Sequence, residues 1–136
     1  MAKDIYHNHV REALENDGWC ITHDPYYVRI GEVDFFIDLG AEGVIGAERE
    51  GRKIAVEVKS FISLSKVADF HEAYGKYGVY RKALRQDQGR VLYLAISEQV
   101  FKDFFQKPFI QMVIEEDDVK LLIFDTESKK VVSWKD

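Results

Sequence analysis

Residues 53–59 read Lys-Ile-Ala-Val-Glu-Val-Lys, and this stretch decides the fold. Its β-branched residues recur at every second position, which is typical of a strand, because successive side chains of a strand point to opposite faces of the sheet. The apolar face predicts a packed core on one side, and Glu57 and Lys59 project together from the other. An ammonium group beside a carboxylate on a covered sheet face is costly unless the two are paired or functional.

The strand at 53–59 lies within an alternation of helices and strands that extends over the whole chain. In chain order we expect a helix at 3–17, a strand at 19–23, an extended segment at 26–30, strands at 33–39 and 41–49, a turn at Glu50-Gly51, the strand at 53–59, a long helix capped by Ser63 or Ser65 and ending near 84, a strand at 90–96, a helix capped by Ser97, a helix at 109–116, and a hairpin of strands at 119–125 and 130–134. Glycines at 40, 43 and 46 predict a bend or bulge in the strand at 41–49. The order predicts one α/β domain over residues 1–136 with a mixed sheet.

The composition indicates a globular protein and restricts its location. The chain has 136 residues, of which 46% are hydrophobic and two are prolines, so a disordered or collagen-like chain is excluded. No apolar run approaches the roughly 20 residues that span a bilayer, and the N-terminal residues lack the apolar core of a signal peptide. The single cysteine, Cys20, cannot form an internal disulfide. We therefore expect a cytoplasmic protein that does not interact with a membrane.

The net charge of −5 bears on the partners of the protein. Phosphate neutralisation by Lys and Arg supplies much of the affinity of a nucleic-acid-binding protein, so an acidic chain is not expected to bind DNA tightly without help. An acidic total does not exclude a nuclease, because a metal site gathers carboxylates and the bound cations offset them locally.

The strand predicted at 33–39 carries two further carboxylates. Asp34 and Asp38 share one face by the period of two, so periodicity alone does not choose between them. An acidic strand followed by a turn and then by Glu57 can hold two carboxylates near one point. That arrangement suits Mg²⁺, which takes oxygen ligands, keeps several waters and needs only one or two carboxylates. Lys59 could then orient or deprotonate a water molecule and stabilise charge on a phosphate.

The register between the two acidic strands is the condition for such a site. A regular hairpin that turns at Glu50-Gly51 would place Glu57 opposite Val44 rather than Asp38. We therefore expect the glycines of the segment 41–49 to bend or bulge that strand, so that the carboxylates of Asp38 and Glu57 can meet.

Several blocks of the chain are characteristic when taken together. They are His7-Asn8 with Ala13-Leu14, Asp17-Gly18-Trp19, Ile21-Thr22-His23-Asp24-Pro25, Asp38-Leu39-Gly40-Ala41-Glu42, Gly51-Arg52-Lys53-Ile54-Ala55-Val56-Glu57-Val58-Lys59-Ser60-Phe61, and Leu92-Tyr93-Leu94-Ala95-Ile96. These blocks resemble the XisH family, which is named for a factor controlling excision of the fdxN DNA element in cyanobacteria, and the similarity extends over nearly the whole chain. The helix–strands–helix–strand order with Asp38 and Glu57-Val58-Lys59 also resembles the PD-(D/E)XK nuclease superfamily, whose motif is short and less specific than the XisH-like blocks.

The resemblance implies a fold, a site and a reaction. The fold is a restriction-endonuclease-like three-layer core with a mixed central sheet, in the order α-β-β-β-α-β followed by C-terminal helices and a hairpin. The catalytic set is Asp38, Glu57 and Lys59, in which Asp38 and Glu57 bind Mg²⁺ or Mn²⁺, so the resemblance selects Asp38 over Asp34. The reaction is metal-dependent hydrolysis of DNA phosphodiesters linked to excision of a DNA element.

The resemblance also implies partners and an alternative function. The partners are DNA and a XisI-type companion protein, and the sequence leaves a homodimer open. The alternative is a catalytically inactive accessory protein that keeps the nuclease fold, binds the companion protein or DNA, and controls excision.

Two features depart from the pattern of related nucleases. Such nucleases often supply a Glu from the first helix, but Glu12 and Glu15 point away from the apolar stripe of that helix on a helical wheel. They also often carry a Gln and a Tyr on the helix after Glu-x-Lys, and here Lys76 stands where the Gln is expected. The four histidines, among them His7, are interpreted as structural or surface residues.

Overall fold

The computed structural model describes residues 3–43, 51–86 and 89–136. Within those ranges the helices are α1 (His7–Asn16), α2 (Lys66–Gln86), α3 (Glu98–Asp103) and α4 (Pro108–Glu116). The strands are β1 (Trp19–His23), β2 (Tyr26–Ile30), β3 (Val33–Ile37), β4 (Leu39–Gly43), β5 (Lys53–Val58), β6 (Arg90–Ser97), β7 (Leu121–Asp125) and β8 (Lys130–Lys135). The chain therefore has the mixed α/β fold that the sequence predicts.

The strands form one large mixed sheet and one small hairpin. The large sheet has the order β1-β4-β5-β6-β7-β8, and β2 pairs with β3 in a separate two-stranded sheet. The β5–β6 and β6–β7 pairs are parallel, and the other neighbouring pairs of the large sheet are antiparallel. The long helix α2 makes the crossover that a parallel β5–β6 pair requires.

Strand β5 separates two hydrophobic clusters. Ile54, Val56 and Val58 pack with residues of α1, β1 and β7, whereas Ala55 packs with residues of α2 and the β2–β3 hairpin. The alternation read from 53–59 is therefore confirmed, and Glu57 is on the α2 side of the sheet because it is two residues from Ala55. In the described ranges, no helix combines the length and the apolar character needed to cross a membrane.

The prediction of a single strand at 33–39 is wrong, because the strand is interrupted by a bend at Asp38. Strand β3 ends at Ile37 and pairs with β2, whereas β4 begins at Leu39 and pairs with β1 and β5. Asp38 forms the bend at which the chain leaves one sheet and enters the other. The strand predicted at 41–49 is described only as far as residue 43, and Glu50 of the predicted turn also lies outside the described residues.

Side-chain hydrogen bonds at or before the first turn accompany the starts of α1, α2 and α3. Helix α1 begins at His7 rather than at residue 3, and the Asp4 carboxylate before it accepts the backbone N–H of Tyr6 at 2.9 Å. The hydroxyls of Ser65 and Ser97 accept N–H groups from the first turns of α2 and α3, at 3.1 and 3.2 Å, which confirms both predicted caps.

Candidate active site

Asp38 lies beside Glu57 because of the register between β4 and β5. Leu39 pairs with Val56, and extending this antiparallel ladder by one residue brings Asp38 next to Glu57. The Asp38 Oδ2 atom accepts the backbone N–H of Val58 at 2.7 Å, which fixes its carboxylate against β5. The described part of the ladder, Leu39 to Glu42 against Lys53 to Val56, is regular, and the chain bends at Asp38. The remainder of the segment 41–49, in which a bend or bulge was expected, lies outside the described residues from 44 onward.

Glu57 is buried, and among the described residues it has no partner of opposite charge within hydrogen-bonding distance. Only 5% of the residue is exposed, and its Oε2 atom has no hydrogen-bond partner in the same ranges. The Lys76 ammonium of α2 lies nearby, with its Nζ atom 3.9 Å from Oε1. A buried carboxylate that makes so few contacts destabilises the folded protein unless it is neutralised.

The electrostatics of the pair follow from burial and mutual repulsion. Burial and then the Asp38 carboxylate raise the pKa of Glu57 to about 8, although Lys76 and the Asp38 backbone oppose the shift. Burial also raises the pKa of Asp38, against the lowering effects of the Val58 N–H, His7 and Lys76. Asp4, which accepts the backbone N–H of Ser60 at 2.9 Å, adds a further negative charge that raises both values. The two carboxylates are therefore stabilised by whatever reduces their negative charge, a shared proton or a cation.

Lys59, the third residue of the expected set, turns toward α2. Its Nζ atom donates to Glu72 Oε2 at 3.2 Å and lies 3.7 Å from Asp69 Oδ1. Glu72 also contacts Lys76, with 3.3 Å between Oε1 and Nζ. The hydrogen bond from Lys59 first, and the two ammonium charges with it, lower the pKa of Glu72. The structure thus links Lys59 to Lys76 through Glu72, and it is Lys76 that reaches Glu57.

His7 at the start of α1 reaches the site from the opposite face, which the sequence did not predict. Its ring is buried, with Nε2 at 2.7 Å from Asp24 Oδ1 and Nδ1 at 4.0 Å from Asp38 Oδ1. Burial opposes the ionisation of Asp24, but the bonds from Arg11 and His7 outweigh it and lower the pKa of this carboxyl. Since the ionised Asp24 can only accept, Nε2 carries the donated hydrogen. The Nδ1 atom has no hydrogen-bond partner among the described residues.

The other acidic residues that the sequence analysis considered for the site have partners outside it. Asp34 accepts the Tyr27 hydroxyl at 2.7 Å and pairs with Arg29 at 3.6 Å on the β2–β3 hairpin. Glu12 pairs with Lys129 at 3.6 Å and Glu15 with Arg11 at 3.7 Å. Both helix glutamates are exposed, as the helical wheel indicates.

The residues at the site fit a divalent cation that takes oxygen ligands. Asp38 and Glu57 offer two carboxylates, and two buried polar atoms, Glu57 Oε2 and His7 Nδ1, have no partner in the described part of the chain. Among the described residues, no three His, Cys, Asp or Glu side chains form a ready-made set for a metal. Mg²⁺ does not need such a set, because water and substrate phosphate usually complete its six ligands.

Comparisons with known proteins agree over the whole fold. A family model described as XisH protein matches residues 1–132. The chain is similar to the crystal structure of an XisH family protein from Nostoc punctiforme PCC 73102, with 44% identity, a TM-score of 0.89, and coverage of 98% of this chain and 100% of that one. It is also similar to a fdxN element excision controlling factor protein from Anabaena variabilis, with 41% identity, a TM-score of 0.89 and the same coverage. No curated protein matches.

Proposed function

Because this chain belongs to the XisH family, we propose that it is an endonuclease-like protein that hydrolyses DNA phosphodiester bonds with Mg²⁺ or Mn²⁺ held by Asp38 and Glu57. Lys59 is the third residue of the proposed catalytic set. One of the solved relatives is named as a fdxN element excision controlling factor, and we extend a role in the excision of a DNA element to this chain.

The observation that carries the proposal is a pair of adjoining carboxylates, of which Glu57 is buried and Asp38 is half-buried. Asp38 and Glu57 adjoin in the sheet, repel one another, and meet no cation at hydrogen-bonding distance among the described residues. Two carboxylates in such surroundings are costly unless a proton or a cation separates them. A divalent cation removes this cost and gives the pair a chemical role.

The proposed role of each residue follows from the position of its side chain. A bound Mg²⁺ or Mn²⁺ would polarise the phosphate and lower the pKa of a bound water. Asp38 and Glu57 would hold the cation, and the Nδ1 atom of His7, 4.0 Å from Asp38 Oδ1, would be a further donor atom. Lys59 would carry the positive charge that stabilises the phosphate in the transition state.

The proposed fold is the restriction-endonuclease-like core with helices on both faces of a mixed sheet. Two features support it: β5 packs against α1 residues on one face and α2 residues on the other, and β6 follows α2 as a parallel neighbour. In this fold Asp38, just before β4, and Glu57-Val58-Lys59, at the end of β5, meet at one end of two neighbouring interior strands.

A nicking assay on supercoiled plasmid DNA tests the proposed reaction. The wild-type protein is expected to nick the plasmid with Mn²⁺ or Mg²⁺ and not with a chelator. Glu57→Gln and Asp38→Asn should lower the rate at least about a hundredfold, because each removes a metal ligand while keeping the side-chain shape.

Asp34→Asn is the matched control, because it removes a carboxylate of the same chain segment that lies on the β2–β3 hairpin. Its rate should equal that of the wild type. Nicking that persists in both Glu57→Gln and Asp38→Asn, or that falls equally in Asp34→Asn, would contradict the proposal.

A second candidate function is that of a catalytically inactive accessory protein. The observation in its favour is that Glu72 holds both Lys59 and Lys76, in a chain whose net charge is −5. Such a protein would bind a XisI-type companion or DNA and control excision without cutting. It predicts no nicking with any divalent metal, together with a stable complex between the purified chain and its companion.

A further inference from the structure

The Glu72 carboxylate lies between two ammonium groups that come from different elements. Its Oε2 atom accepts from Lys59 at 3.2 Å, just beyond the end of β5, and its Oε1 atom lies 3.3 Å from Lys76, one turn further along α2. Lys76 also lies 3.9 Å from Glu57 Oε1. An anion held by both lysines is therefore next to the proposed metal ligands.

A carboxylate bridging two ammonium groups has the same partners that two oxygens of a phosphate would have. Lysine binds phosphate as a point charge, and charge-assisted hydrogen bonds are the strong contacts of such a site. The oxygens of Glu72 thus stand in for two non-bridging phosphate oxygens at the edge of the site.

We propose that Lys59 and Lys76 form a binding site for a backbone phosphate of DNA, and that Glu72 occupies this site until the phosphate displaces it. The inference deepens the proposed function and rests on it, because it takes nucleic acid as the ligand. It adds a residue that competes with the substrate, and it gives Lys76 a role that the catalytic set of Asp38, Glu57 and Lys59 lacks.

The surroundings of Glu72 allow the exchange. Its side chain is 52% exposed, so the carboxylate can leave by rotating into water, and exposed ion pairs contribute little to stability. Lys59 is better held, since its side chain is 18% exposed and Asp69 Oδ1 lies 3.7 Å away. Asp69 is itself buried and accepts the Ser63 N–H at 3.1 Å, so it keeps Lys59 in place when Glu72 departs.

The simpler interpretation is an ordinary ion pair on the surface of α2. Glu98 and Lys102 form such a pair on α3, at the same i,i+4 spacing and 3.8 Å apart. Glu98→Gln therefore measures what the loss of one surface negative charge does to DNA binding, and it serves as the matched control.

The test is the affinity for a fluorescently labelled DNA duplex, measured by anisotropy in a metal chelator so that no cleavage occurs. We expect Glu72→Gln to bind roughly tenfold more tightly than the wild type, the equivalent of one charge-assisted hydrogen bond given to phosphate. In the Lys76→Met background the gain should vanish.

Three results would overturn the inference. They are an equal change of DNA affinity in Glu72→Gln and Glu98→Gln, a gain of DNA affinity in Glu72→Gln that persists without Lys76, and absence of DNA binding by both the wild type and Glu72→Gln. Because binding is measured without cleavage, the result is separable from the nicking assay. Tighter binding by Glu72→Gln without nicking would support the phosphate site and reject the proposed hydrolysis. Nicking by the wild type together with unchanged binding by Glu72→Gln would support hydrolysis and reject the phosphate site.

Discussion

The two halves of the candidate site, one formed by carboxylates and one by lysines, differ in how their charges are compensated. In the carboxylate half, Glu57 is buried and Asp38 is half-buried, the two adjoin one another, and no cation lies closer than 3.9 Å among the described residues. In the lysine half, Lys59 and Lys76 share one counter-ion, Glu72, at 3.2 and 3.3 Å, and Asp69 lies 3.7 Å from Lys59. The two carboxylates therefore lack a counter-ion at hydrogen-bonding distance among the described residues, whereas the two lysines have one in Glu72.

The difference indicates which half depends on a ligand for its stability. Solvent and Glu72 screen the lysines, so the folded chain tolerates them without a substrate. Burial denies that screening to the carboxylates, so they must share a proton or bind a cation. The same contrast gives the order in which ligands are expected to matter: first the metal for the carboxylates, then phosphate for the lysines.

The largest effect should come from neutralising Glu57. Its pKa is raised from an ordinary value of 4.5 to about 8, so the folded state resists ionisation and stability falls as pH rises from about 4.5 through 8. Glu57→Gln removes this loss. In a chelator we expect its free energy of unfolding to exceed that of the wild type by roughly 5 kcal/mol above pH 8 and by little near pH 5.

Denaturant unfolding at a series of pH values measures this difference, and Glu12→Gln on the exposed face of α1 is the control. Glu12 is paired at the surface with Lys129, so its substitution should change stability little at any pH. If the free energy of unfolding of Glu57→Gln exceeds that of the wild type equally at pH 5 and pH 9, or at neither pH, the electrostatic difference between the carboxylate half and the lysine half is contradicted.

A smaller effect should come from His7, which borders the carboxylate half. His7→Gln keeps an amide that can donate to Asp24 in the place of Nε2, but it removes the Nδ1 atom that faces Asp38 at 4.0 Å. We expect the affinity for Mn²⁺ to fall about tenfold, and that for Mg²⁺ to fall less, because imidazole suits transition metals better than Mg²⁺.

Isothermal titration with each ion measures the two affinities, with His71→Gln on the exposed surface of α2 as the control. Unchanged Mn²⁺ affinity in His7→Gln would mean that the ring is a structural part of α1. Equal losses for both ions would mean that it shapes the site without contributing a donor atom.

The local pattern around β5 could be predicted from the sequence, because it depends only on strand periodicity. Alternation at 53–59 puts Ile54 and Val56 in one cluster and Ala55 in the other, as observed. The caps at Ser65 and Ser97 were equally local. By contrast, the strand at 33–39 was wrong at Asp38, because its alternation continues through the point at which the chain changes sheets.

The site itself depends on contacts that no local pattern contains. The pairing of Leu39 with Val56 joins residues that are far apart in the sequence, so spacing alone could not place Asp38 beside Glu57. The direction of Lys59 is set by Glu72, thirteen residues later. His7 was missed because a lone buried histidine carries no sequence signal. The available clue was that His7 and Asp24, which contact one another, both lie in blocks that resemble the XisH family.

The central claim is that Asp38 and Glu57 bind a divalent cation, and titration of the purified protein with Mn²⁺ at pH 8 tests it most directly. We predict one Mn²⁺ site in the wild type, loss of that site in Glu57→Gln and Asp38→Asn, and retention in Asp34→Asn. At 100 times its dissociation constant the ion should stabilise the wild type by about 2.7 kcal/mol. Absence of binding to the wild type, or equal binding to Glu57→Gln, would contradict the claim.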